Sequence, residues 1–102
     1  MQKKKILKQI RRHFVYILRC SDGTLYTGYT VDLKKRLALH NKGRGAKYLR
    51  GKLPVAMVFA KTFKNYKNAL KEERSLKTKS KRQKENFIKI FERKIKKFNL
   101  NS

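Results

Sequence analysis

One carboxylate falls among apolar residues in the second half of the chain. Residues 65–79 have helical spacing, and at about 100° per residue Glu73 lies at the centre of the apolar stripe. That stripe consists of Tyr66, Ala69, Leu70 and Leu76. A charge packed against apolar groups is costly unless something pairs with it. Two interpretations remain open: a structural ion pair with a Lys or Arg, or an oxygen ligand for a hard cation such as Mg²⁺.

A histidine and an arginine share one side of an earlier predicted helix. Arg36 lies four residues before His40, and both lie beside the apolar residues Leu33 and Leu37. Two neighbouring cations disfavour each other, so the spacing suits a neutral His40 beside an Arg36 that binds an oxyanion. Arginine binds phosphate bidentately. The alternative is a core histidine whose hydrogen bonds are satisfied within the fold.

Two tyrosines and a glycine stand on a predicted β-hairpin. A three-residue loop at 21–23 pairs Leu18 with Tyr26 and Tyr16 with Gly28, which places both tyrosines on one face of the sheet. Each tyrosine has an ordinary packing interpretation, because aromatic pairs stabilise hairpins. Gly28 inside a strand indicates a close approach by another group.

The elements that carry these residues follow in the order ββαβαα. Strands are expected at 14–20, 25–30 and 55–62. Three helices are expected, capped by Thr30 or Asp32, by Asn65 and by Ser80, and ending near Asn41, Lys79 and Phe98. This pattern predicts an α+β fold in which a small three-stranded antiparallel sheet is flanked by helices and buries one face beneath them. Residues 1–12 are expected to form a basic arm, residues 13–98 the domain, and residues 99–102 a short tail.

The charge of the chain is extreme. Among 102 residues, 30 are Lys or Arg and 6 are Asp or Glu, which gives a net charge of +24. The hydrophobic content of 39% is too high for a disordered basic tail. No apolar run approaches the roughly 18 residues of a membrane span. The lone Cys20 excludes an internal disulfide and favours a reducing, cytoplasmic setting. Nucleic acid is therefore the favoured partner, with no role for a membrane.

A basic loop follows the first helix and is expected to contact the nucleic-acid backbone. Its candidate binding residues are Arg44, Lys47, Tyr48, Arg50 and Lys52. Tyr48 has two interpretations, as a ring that stacks on an unpaired base or as a solvated loop residue.

Taken in order, these residues resemble the GIY-YIG nuclease domain. The FVY at 14–16 and the YTG at 26–28 are similar to its two opening motifs, roughly Gly-Ile-Tyr and Tyr-Ile-Gly. Arg36 and His40 match the Arg of its first helix and the His or Tyr one turn later, and Glu73 matches the Glu of its next helix. The resemblance extends over residues 13–91.

The small stand-alone branch of that family is the most similar. Residues 40–48 and 80–84 resemble it, and Phe14 replaces the first Gly, as is common there. The enzymatic relatives are structure-specific endonucleases that cut branched DNA. Asn86 is the candidate for the family's late Asn.

The resemblance implies a mechanism as well as a fold. The family hydrolyses phosphodiesters with one divalent cation, so Glu73 is expected to hold Mg²⁺ or Mn²⁺ and Arg36 to stabilise the phosphorane charge. Tyr16 or Tyr26 would deprotonate or position the attacking water, and as a base it would need help from the metal or from nearby cations such as Arg36. His40 would orient the tyrosine or assist proton transfer.

Three functions agree with this sequence. The first is a metal-dependent DNA endonuclease in repair or recombination, with DNA favoured over RNA and a possible protein partner for targeting. The second is a non-catalytic DNA- or RNA-binding protein that retains the fold. The third, indicated by charge alone, is a ribosome-associated basic protein.

Overall fold

A central antiparallel sheet with helices on both faces organises the chain. The computed structural model describes residues 12–101, with side chains described through Phe98. The elements are β1 (His13–Arg19), β2 (Leu25–Thr30), α1 (Leu33–Asn41), a 3₁₀ turn (Lys47–Leu49), β3 (Ala56–Phe63), α2 (Tyr66–Thr78) and α3 (Lys81–Asn101). The predicted α+β class and ββαβαα order are confirmed. Helix α3 continues through Asn101, past its predicted end at Phe98. Apart from Arg12, the predicted arm lies outside the described residues.

The β1–β2 hairpin has the predicted register. The Cys20 amide donates to the Thr24 carbonyl at 2.8 Å, and the Gly23 amide donates to the Cys20 carbonyl at 2.9 Å. Gly23 has a φ of 84°, the left-handed conformation that such a turn requires. As a result Leu18 pairs with Tyr26 and Tyr16 pairs with Gly28.

The sheet order is β2-β1-β3, with both pairs antiparallel, and the sheet is covered on two faces. Tyr16 and Leu18 face a core that includes Leu49 and residues of α1. Val15, which points to the opposite face, packs against Ala69 and Leu76 of α2. The expectation of a single buried face was therefore wrong, because α1 and the 46–55 segment together cover the face opposite to α2.

Each helix begins at a predicted cap. The Asp32 carboxylate accepts from the Lys35 amide at 3.0 Å, and Asn65 caps α2 in the same way. Ser80 and Gln83 form a reciprocal capping box, in which each side chain accepts from the other residue's amide at 3.2 and 2.9 Å. None of the described helices has the length and apolar content needed to cross a bilayer.

Candidate active site

Tyr16 and His40 are the two most buried of the predicted site residues, each with 1% of its surface exposed. Tyr16 lies at the centre of β1, and its ring crosses Gly28 of the neighbouring strand. A Cβ at position 28 would lie 2.5 Å from both Cζ and Oη of Tyr16. The glycine is therefore required for the ring to lie flat across β2 and reach α1 on this face of the sheet.

His40, at the end of α1, is hydrogen-bonded to the Tyr16 hydroxyl. Tyr16 Oη and His40 Nε2 are 2.8 Å apart, and the Ala46 amide donates to His40 Nδ1 at 3.2 Å. Because Nδ1 accepts, a neutral imidazole must carry its proton on Nε2 and donate to the tyrosine oxygen. The proton of the Tyr16 hydroxyl is then free to point away from the histidine.

A glycine that sequence reasoning left aside completes this contact. A Cβ at Gly45 would overlap His40 Nδ1. Gly45 therefore makes room for the imidazole and lets the chain turn back so that the Ala46 amide can reach it. The only signal in the sequence is a glycine within a Lys- and Arg-rich loop, which by itself indicates no such role.

Burial and charge set the protonation of the pair. Burial lowers the pKa of His40, and the neighbouring Arg36 lowers it further, so the imidazole is neutral at physiological pH, as expected from the sequence. Burial also raises the pKa of Tyr16 to about 12, against the opposing effect of hydrogen bonding by Arg36. Repulsion from Tyr26 in its ionised form and from the Glu73 carboxylate raises it too. Arg36 therefore acts in the expected direction on the pKa of this tyrosine, but desolvation outweighs it.

Arg36 carries an unsatisfied donor into the site. Its Nε is buried and has no hydrogen-bond partner among residues 12–98. A buried N–H without an acceptor costs about 1–3 kcal/mol, so a bound anion would relieve this cost. The guanidinium lies one helical turn before His40 and close enough to Tyr16 to affect its pKa.

Tyr26 lies among three other rings. Its centroid is 6.5 Å from that of Tyr16 and 5.7 Å from that of His40, which it meets at 69°. The ring of Tyr48 stacks on Tyr26 at 6.1 Å and 21°. The two predicted catalytic tyrosines thus share one face, as the hairpin register requires.

Glu73 projects from α2 with 17% of its side chain exposed. Its carboxylate lies 3.6 Å from the ammonium of Lys77, an exposed residue one turn along the helix, and a pair at this spacing is worth about 0.3–0.5 kcal/mol. The ion pair foreseen from the sequence therefore exists, but it is too weak to account for the burial of the carboxylate. Tyr66, placed on the same stripe by sequence, is instead 51% exposed and packs against His13 and Tyr29.

The donor set fits a hard cation bound through a single protein carboxylate. The part of the chain described by the structure has no group of three or more His, Cys, Asp or Glu able to hold a metal ion. Mg²⁺ commonly keeps several waters and takes one or two carboxylates together with substrate phosphates. Glu73 is suited to this role, since its carboxylate is half-buried and only weakly paired.

The residues of the basic loop divide into two groups. Arg44, Lys47 and Arg50 are exposed, and Tyr48 is 52% exposed. Lys52 instead bonds within the protein, to Tyr48 and Thr24. Asn86, the candidate for the family's late Asn, lies exposed on α3.

The chain matches a family model and a set of close relatives. The model described as the GIY-YIG catalytic domain matches residues 12–86. A UPF0213 protein of Streptococcus agalactiae is 47% identical over 74% of this chain and 86% of its own. A UPF0213 protein of Halobacterium salinarum is 48% identical over 72% of this chain and 95% of its own.

Two solved structures have the same fold. The solution NMR structure of a UPF0213 protein from Bacillus halodurans superimposes with a TM-score of 0.52 at 42% identity, covering 78% of this chain and 84% of that one. The solution NMR structure of a protein from E. faecalis gives 0.56 at 40% identity, covering 79% and 86%.

Proposed function

Because this chain belongs to the GIY-YIG nuclease family, we propose that it is a metal-dependent endonuclease that hydrolyses phosphodiester bonds in branched or otherwise structured DNA. Membership implies nuclease activity in general. One observation supports a competent site above all. The buried Arg36 Nε, which has no partner among the described side chains, lies beside a tyrosine held by a neutral histidine.

Arg36 is the residue proposed to bind the scissile phosphate. Its unpaired Nε–H would donate to a phosphoryl oxygen, and the fixed guanidinium charge would stabilise the extra negative charge of the phosphorane. Arginine suits this role better than lysine because its planar donors match the oxygens of phosphate. Its position on α1, one turn before His40, couples phosphate binding to the ring cluster.

Tyr16 is proposed to position the attacking water rather than to deprotonate it alone. With a pKa of about 12, its hydroxyl stays protonated at neutral pH. His40 Nε2–H donates to the hydroxyl oxygen, so the tyrosine is oriented and its own proton points elsewhere. Tyr26, which contacts both rings, is the remaining candidate for proton transfer.

Glu73 is the residue proposed to hold the cation, Mg²⁺ or Mn²⁺. When bound, such a cation supplies Lewis-acid polarisation of the phosphoryl group and stabilises the leaving oxygen. In-line attack would leave 5′-phosphate and 3′-hydroxyl ends.

The wider setting is part of the same proposal. DNA is favoured over RNA, a role in repair or recombination is expected, and a protein partner would direct the enzyme to its substrate. A cytoplasmic location is supported by Cys20, which is buried and unpaired.

The decisive experiment compares Glu73→Gln with its neighbour Glu72→Gln. Glu72 is 30% exposed and pairs with Lys61 at 3.6 Å. Glu72→Gln therefore removes the same charge from the same helix and leaves the proposed cation ligand in place. Loss of about 4 kcal/mol of stabilisation from the bound cation corresponds to a rate about 10³-fold lower. We expect that loss for Glu73→Gln alone, on branched or flapped DNA with added Mg²⁺ or Mn²⁺.

Other outcomes identify other functions. Equal cleavage by wild type and Glu73→Gln would indicate a contaminating nuclease and overturn the proposal. Tight, salt-sensitive binding without nicking, across both metals and all substrates including duplex DNA and RNA, would establish the non-catalytic alternative.

A further inference from the structure

Tyr48 is an additional ring in the proposed site, outside the two tyrosine motifs. It lies on the 3₁₀ turn Lys47–Leu49, and its ring stacks on Tyr26 with 6.1 Å between centroids and 21° between planes. This separation is in the range of favourable aromatic pairs. Leu49, the next residue, is 1% exposed in the core beneath, which anchors the turn. Tyr48 is therefore placed against Tyr26 by the fold.

Lys52 holds the other end of Tyr48. Its Nζ donates to Tyr48 Oη at 2.8 Å and to Thr24 Oγ1 at 3.3 Å, and it pairs with the Asp22 carboxylate at 3.3 Å. It also lies 4.1 Å from the centroid of the Tyr48 ring. Two of the three donors of the Lys52 ammonium bond to Tyr48 and Thr24, and the Asp22 carboxylate faces its charge. Lys52 is therefore engaged within the protein.

The partners of Lys52 belong to the turn that leads into β2. Asp22 Oδ1 accepts from the Thr24 amide at 3.0 Å and from its hydroxyl at 2.6 Å. The Ser21 amide donates to the Lys52 carbonyl at 3.0 Å, which adds a backbone tie between the loop and the turn. Because Tyr26 lies two residues beyond Thr24, the ties join the loop that carries Tyr48 to the strand that carries Tyr26.

We propose that Tyr48 is a positioning residue that holds the Tyr26 ring in the active site, and that Lys52 secures Tyr48 to the hairpin turn instead of contacting DNA. This inference rests on the proposed nuclease function. It replaces the two roles expected from the sequence, a base-stacking Tyr48 and a phosphate-binding Lys52. The remaining loop residues Arg44, Lys47 and Arg50 keep their proposed contacts with the backbone.

Kinetics separate positioning from DNA binding. Tyr48→Leu removes the ring and Lys52→Met removes its tie, while Tyr48→Phe keeps the ring and loses only the hydroxyl contact. At saturating DNA we expect Tyr48→Leu and Lys52→Met to lower kcat about tenfold with KM within about twofold, and Tyr48→Phe to fall between them and wild type. The logarithmic salt slope of DNA binding should not change for any of the three.

Arg50→Met is the matched comparison for Lys52→Met, because it removes a charge from the same loop at an exposed position. It should weaken binding and lower the salt slope by about 0.9, the effect of one lost phosphate contact. The inference is overturned if Lys52→Met produces that same loss of slope, or if Tyr48→Leu raises KM and leaves kcat unchanged.

Tyrosine NMR tests the inference without any cleavage. In ¹³C-tyrosine-labelled protein, the ring resonances of Tyr26 should shift in Tyr48→Leu and Lys52→Met but not in Tyr66→Phe, a ring that packs elsewhere. Hydrogen bonding from Lys52 lowers the pKa of Tyr48, so Lys52→Met should raise it towards its ordinary value. Unmoved Tyr26 resonances refute the positioning role even in an active enzyme. If the wild type cleaves no DNA but the variants still show the Tyr26 resonance shifts and the raised pKa of Tyr48, the nuclease proposal is refuted and the positioning role of Tyr48 stands.

Discussion

Gly28 and Gly45 leave the space that the side chains of Tyr16 and His40 fill. A Cβ added at either glycine would lie too close to ring atoms, of Tyr16 at Gly28 and of His40 at Gly45. The bond between Tyr16 and His40 therefore depends on residues that carry no chemistry themselves. A site of this kind is sensitive to a single added methyl group at either glycine.

We expect Gly45→Ala to reduce activity by displacing His40. The added methyl would overlap Nδ1 of the buried imidazole, so the ring must shift away from Tyr16 Oη. Overpacking of this kind costs about 1–3 kcal/mol of stability. Cleavage should fall about tenfold or more, as for the loss of roughly 1.4 kcal/mol of transition-state stabilisation. Chemical denaturation and single-turnover cleavage measure the two effects.

Gly51→Ala is the control in the same loop, since a Cβ there meets nothing within 4 Å. It should retain wild-type stability and cleavage. Equal behaviour of the two variants would show that His40 does not depend on the space at Gly45.

At the level of whole elements, the local signals in the sequence predicted most of the fold. The hairpin register follows from a three-residue turn with a positive-φ glycine, and the helix starts follow from caps at Asp32, Asn65 and Ser80. The turn and each of the caps join residues only a few positions apart in the sequence. Turn and cap chemistry was therefore enough to identify them.

Long-range contacts account for what the sequence did not show. Lys52 meets Thr24 across 28 positions, and Tyr66 turns to His13 and Tyr29 instead of joining the α2 stripe. The resemblance listed the site residues, but it did not indicate that burial dominates the pKa of Tyr16. Such effects depend on how the elements pack, which no local pattern in this chain encodes.

The start of α3 provides a prediction on this scale. Ser80→Ala removes the hydroxyl that accepts from the Gln83 amide, which costs about 1 kcal/mol for a typical cap. In a domain of this size the melting temperature should fall by about 4–8 °C. Ser75→Ala, at an exposed position within α2, should leave it unchanged or slightly raised. Equal melting temperatures for the two variants would mean that the capping box adds nothing to stability.

The charge of the whole molecule determines how it meets DNA. Four of its six acids already pair with basic side chains, at Asp22, Glu72, Glu73 and Glu85. With 30 Lys and Arg residues in the chain, most basic groups have no carboxylate to neutralise them. Binding to a polyanion relieves this repulsion and releases counterions, so affinity must fall steeply as salt increases.

The salt dependence also shows where on the surface DNA binds. Each phosphate contact contributes about −0.9 to the slope of log affinity against log salt, so replacing Arg44, Lys47 and Arg50 by Gln should reduce the slope by about 3 × 0.9, or 2.7. The matched triple, Lys67, Lys71 and Arg74, lies exposed on α2, which packs on the opposite face of the sheet. Replacing these three residues by Gln should change the slope by less than about 0.9, the contribution of one phosphate contact. Equal reductions by the two triples, measured by fluorescence anisotropy between 50 and 200 mM salt, would show diffuse attraction by net charge and no defined binding surface at the loop. A reduction confined to the loop triple would place the DNA backbone on the same face as Tyr16 and Tyr26, where the proposed chemistry requires it.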